Sequence, residues 1–145
     1  MLFQVHTGFS SGHYELGDGP REGDIFHNRE FVYVVAAVEW VLVPRSGIVF
    51  VLPTEEVDFD AEYGQGYNYG VTNVPRVGDV VRHQAGQFYR VSCVEWFVNQ
   101  SAVPESYTRV HHDRNTEYQH PGIVAVMEGG QEYGKRFVEA GISPM

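Results

Sequence analysis

Pro20-Arg21-Glu22-Gly23-Asp24, leading to Val38-Glu39-Trp40, and Pro75-Arg76-Val77-Gly78-Asp79, leading to Val94-Glu95-Trp96, are two copies of one pattern within a single chain. Between those ends Val32-Tyr33 answers Phe88-Tyr89, and Val35 answers Val91. A third block follows in each copy, Gly47 to Leu52 and then Gly122 to Met127. Internal repetition speaks first to architecture. In Pro-Arg-x-Gly-Asp the proline fixes φ, the glycine tolerates positive φ, and the aspartate can bond a neighbouring N–H, which is turn chemistry. The segments after the turns, Ile25 to His27 and Val80 to Arg82, read as short strands. After a polar reversal, Phe31 to Val43 and Phe88 to Val98 are rich in β-branched and aromatic residues and read as long strands.

Working outward, each copy reads as a three-stranded antiparallel meander. The fold class expected is therefore mainly β, with two tandem meanders forming either SH3-like small barrels or one pseudo-twofold sheet or barrel. An amino-terminal strand, Leu2 to His6, precedes them. One carboxy-terminal helix, Gln131 to Ala140, places Tyr133, Phe137 and Val138 on one side. Residues 1–74 hold the first copy and an acidic, tyrosine-rich connector. Residues 75–145 hold the second copy, an insertion over 99–121 and the helix, the whole forming one compact unit. The Trp40 and Trp96 side chains are expected as paired core anchors.

A chain of 145 residues with 43% hydrophobic and 14% aromatic content can bury one core. No apolar run reaches the roughly 18 to 20 residues of a membrane span, and no signal peptide is visible at the amino terminus. Cys93 is the only cysteine, so no internal disulfide forms, and a cytoplasmic setting is expected. The net charge of −9 is uneven: residues 1–74 carry three basic and eleven acidic side chains, residues 75–145 seven and eight. That balance argues against direct binding of a nucleic-acid backbone and for a basic partner.

Glu56 to Tyr63 alternates strictly, Glu56, Asp58, Asp60 and Glu62 against Val57, Phe59, Ala61 and Tyr63. As a strand it would align four carboxylates on one face, which needs solvent, cations or a basic surface. It reads either as a docking face for a basic protein, in the place of a phosphate backbone, or as a solvated edge strand protected from aggregation. Tyr63, Tyr67 and Tyr69 follow in a glycine-rich stretch of recognition-loop composition. A second candidate site joins Glu39 and Glu95 with His111, His112 and His120 of the insertion. Adjacent histidines on a strand point opposite ways, and no Cys pair or helical His-x-x-x-His supports zinc. No catalytic motif, metal site or cofactor is expected from the pattern.

The leading expectation is a non-enzymatic intracellular inhibitor or adaptor whose acidic, tyrosine-rich face engages a basic, nucleic-acid-binding protein surface. A small-ligand binder or modest metal-dependent hydrolase with a site between the repeats is the alternative. A structural subunit, a homodimer built through edge strands, is the third.

Overall fold

The computed structural model describes residues 1–84 and 87–113. The elements are β1 (Leu2–His6), β2 (Ser11–Glu15), β3 (Ile25–Asn28), β4 (Phe31–Val41), β5 (Ser46–Pro53), α1 (Phe59–Tyr63), β6 (Gly66–Tyr69), β7 (Val80–Gln84), β8 (Gln87–Val98) and β9 (Tyr107–His112). The protein is mainly β, and its strands curl into a half-barrel in the order β2-β1-β5-β4-β3-β8-β9-β6. β7 pairs with the first part of β8, beyond the stretch that pairs with β3. Two pairings are parallel, β1 with β5 and β3 with β8. The rest are antiparallel.

The two Pro-Arg-x-Gly-Asp turns carry the same bonds. Asp24 N–H donates to the Arg21 carbonyl at 3.0 Å, as Asp79 N–H does to Arg76 at 2.9 Å. Each aspartate carboxylate accepts the N–H of its own arginine at 2.9 Å. Val35 and Val91 return equivalent bonds to Asp24 and Asp79, and each long strand bulges just after that valine. Gly23 and Gly78 sit at φ 90° and 93°, with nothing within 4 Å of where a Cβ would stand. Strain alone therefore sets the cost of a side chain there. Gly23→Ala and Gly78→Ala should each lose about 1–2 kcal/mol in urea unfolding, by closely similar amounts.

The core lies inside the curl. Phe3, Val5, Leu16, Phe26, Val35, Val49, Val94, Trp96 and Val110 are buried there, each contributing about 1.5–3 kcal/mol if large. The two tryptophans part company. Trp96 is 1% exposed on β8, which has neighbours on both sides, and its Nε1–H reaches buried Asp24 at 2.9 Å. Trp40 closes β4 at 46% exposure, its edge against Phe3 and Arg21 over its face. Among the described residues no further layer covers it, so the expected pair of anchors is one anchor and one surface ring.

The second copy departs from its expected meander. β9, from the insertion, takes the place beside β8 expected for Gly122 to Met127. That block, the helix over 131–140 and His120 lie outside the described residues. No helix among the described residues is long and apolar enough to cross a membrane.

Candidate functional site

The acidic stretch is not a strand. Asp58 Oδ1 accepts the Ala61 N–H at 3.2 Å and starts α1, and Gly64 at φ 98° ends it. Acidic Asp60 and Glu62 suit the first turn of a helix. Phe59 and Tyr63, four residues apart, stack at 5.9 Å, and Phe59 buries against Ile25, Val32 and Cys93. Burial of this one helical face outweighs the two-residue alternation. The four carboxylates therefore go separate ways. Glu56 and Asp58 line a groove, Asp60 binds Arg109, and Glu62 stays exposed.

The tyrosines turn inward as well. Gly66–Tyr69 forms β6 along β9 rather than a loop. Tyr67 stacks on His112 at 5.2 Å, and Tyr69 packs on the core.

β3, β8 and β9 present their convex face to α1. After the bulge, Cys93, Glu95 and Phe97 of β8 face this way, while Val94, Trp96 and Val98 enter the core. Tyr107, Arg109 and His111 of β9, with Ile25 and His27 of β3, share the side of Glu95. Glu95 is 3% exposed and joins two imidazoles. One carboxylate oxygen meets His27 Nε2 at 2.5 Å, and the other accepts a short bond from His111 Nε2. His111 Nδ1 donates to the Gly64 carbonyl at 2.9 Å, with Asp60 3.3 Å away. Gly66 makes room for this, because a Cβ there would come within 2.9 Å of the His111 ring.

These partners fix the protons. A carbonyl and a carboxylate can only accept, so His111 carries hydrogen on both nitrogens and is an imidazolium. Burial works to lower its pKa, but the Glu95 bond and nearby carboxylates outweigh it and raise it. Burial likewise works to raise Glu95, and the two imidazole bonds outweigh it and hold its pKa low. His27 Nε2 meets Glu95, and its Nδ1 has no hydrogen bond to a described residue. Its ring stacks on Phe97 at 4.3 Å, Phe97 stacks on Tyr107 at 4.8 Å, and Phe59 meets His27 edge-on.

Above this floor opens a groove of roughly 390 Å³. Phe59 and Phe97 form apolar walls, and Glu30, Glu56 and Asp58 stand at its rim beside Arg29. Arg109 also lines it, but its guanidinium is committed to Asp60 at 2.8 and 3.2 Å and to Asn68 at 3.0 Å. Beyond that pair, the rim carries three carboxylates against one guanidinium.

Of the second candidate set, Glu95 and His111 meet. Glu39, at the matching position on β4, is exposed opposite Ile48, because no described element covers that face of β4 and β5. His112 points to the other face, between Tyr67 and Tyr89. His27 was not among the sequence candidates. Its only signal was its place, five residues after Glu22 on the strand that follows the first turn, where the second copy has Arg82. Among the described residues no group of three or more His, Cys, Asp or Glu is arranged around a common metal position. Cys93 is buried against Phe59 and its pKa is pushed up to about 12 by burial and by the charges of Glu95 and Asp24, which removes it as a nucleophile. Against known family models, curated proteins and solved structures, the chain has no match.

Proposed function

We propose that the protein is a binding protein whose groove takes a cationic group, a lysine or arginine side chain of a basic protein partner. The observation that carries the reading is the groove's composition: Glu30 and Glu56 form no salt bridge with a described residue, Phe59 and Phe97 line the groove with them, and His27 Nδ1 has no hydrogen bond to a described residue. An ammonium gains from carboxylates, from aromatic faces and from a ring acceptor, each strengthened by partial desolvation. Such a protein would act as an inhibitor or adaptor, covering a basic surface that otherwise holds nucleic acid. In this reading the two Pro-Arg-x-Gly-Asp units are copies of one small β unit, and the identical turn bonds support it.

Glu56 and Asp58 remain the contact residues, joined by Glu30 and His27. Asp60 does not, because neutralising it would release Arg109. Tetralysine is a suitable probe. Glu30→Gln with Glu56→Gln should weaken its binding on the order of tenfold or more in low salt, with unfolding unchanged. Glu22→Gln, exposed in the first turn, should leave binding as it was. Equal affinity of the double variant and the wild type would refute the assignment.

A second reading has one observation in its favour. A histidine held at Nε2 by a buried carboxylate, with Nδ1 open, has the geometry of a general base. No described nucleophile stands beside it, so binding is the better-supported use.

A further inference from the structure

The repeated turns bring two arginines to one place. Asp18 N–H donates to the Val71 carbonyl at 3.0 Å, and Asp18 Oδ2 accepts the Val74 N–H at 3.1 Å. These bonds tie the approach to the first turn to the approach to the second. Asp18, Arg21, Pro75 and Arg76 consequently line one shared crevice. Beside it Arg21 and Arg76, joined by Arg45 from the β4–β5 connection, line a groove of roughly 480 Å³ with Trp40.

This is a different groove from the acidic one, and its charge is opposite. Residues 1–74 hold only three basic side chains, and two of them, Arg21 and Arg45, are here. None of the three arginines forms a salt bridge with a described residue, although the Arg21 charge acts on buried Asp24 nearby. Of the other charged groups at the groove, the Met1 amine is paired with Glu15, and Asp18, which accepts the Val74 N–H, sets one carboxylate against the three guanidiniums. Arg21 is steadied over the Trp40 ring at 5.7 Å. Gathering three like charges costs free energy unless an anion joins them, and guanidinium forks match phosphate oxygens.

We propose that this groove is a binding site for a small phosphate-bearing molecule, held between Arg21, Arg45 and Arg76. The repeated arginine thus has a use beyond the turn that carries it, since both copies contribute one to the same site.

Inorganic pyrophosphate serves as the probe, with sodium chloride at equal ionic strength as the baseline. Trp96 is 1% exposed and Trp40 46%, so acrylamide quenching reports on Trp40. Bound pyrophosphate is expected to shield Trp40 and slow its quenching. Arg45 and Arg76 are both exposed, so Arg45→Gln with Arg76→Gln should fold normally and bind on the order of tenfold more weakly. Two results would overturn the site: pyrophosphate protecting no better than chloride, or protection unchanged in the double variant. Neither result bears on the acidic groove, whose residues are untouched.

Discussion

Glu95→Gln is expected to cost about 3–5 kcal/mol of folding stability, whereas Glu39→Gln, at the matching place in the first copy, should cost less than about 0.5 kcal/mol. Removing one member of a buried charged network leaves the others uncompensated. A glutamine at position 95 has one carbonyl for two imidazole donors, and its amide N–H would face the other imidazole N–H. Glu39 is exposed and has no such role. Urea unfolding of the two variants at one pH makes the comparison directly.

The same network has a pH signature with two limbs. The Glu95 pKa lies below its ordinary 4.5, so its contribution is present above 4.5 and is lost as pH falls through the folded value. The His111 pKa lies above its ordinary 6.5, so its contribution is complete below 6.5 and is lost as pH rises through the folded value. The stability difference between wild type and Glu95→Gln should therefore be widest between 4.5 and 6.5 and narrow on both sides. A difference that does not vary with pH would mean that the cluster carries no ion pair.

Asp24→Asn is expected to act in the opposite direction. Asp24 is 4% exposed, and burial raises its pKa from 3.8 to about 6, against the pull of the Arg21 and Trp96 N–H bonds and the Arg21 charge. Because the folded value lies above the unfolded one, the native state is most favoured below 3.8 and loses stability as pH rises to about 6. A shift of that size corresponds to about 3 kcal/mol. Both N–H groups meet the same oxygen, Oδ2, which an asparagine carbonyl can replace. Asp24→Asn should match the wild type in acid and exceed it by about 2–3 kcal/mol above pH 6. Loss of stability at neutral pH would show that the ionised carboxylate is needed to hold the turn to Trp96.

The strands and turns were legible because their signals are local: proline and glycine at fixed places in a turn, then runs of β-branched and aromatic residues. The acidic segment was misread because two local patterns overlap. Its alternation has period two, but Asp58, the Phe59–Tyr63 spacing and Gly64 describe a capped helical turn. Burial of Phe59 against Cys93 decides between them, and that is a tertiary fact. The His27–Glu95–His111 cluster was half legible. Glu95 and His111 were named, but His27 reaches them only through the parallel pairing of β3 with β8, which no spacing reveals. Glu39 and Glu95 share a motif and differ in function because α1 covers only one of the two faces.

The most direct measurement is ring nitrogen NMR of the histidines during a titration with tetralysine. The expected result is that His27 and His111 both carry hydrogen on Nε2 at the start. On addition of tetralysine the His27 Nδ1 resonance should move, while that of exposed His13 on β2 stays still. The movement should be lost in the Glu30→Gln, Glu56→Gln variant. A His27 resonance unmoved by saturating tetralysine, or moved equally in that variant, would contradict recognition of a cation in this groove.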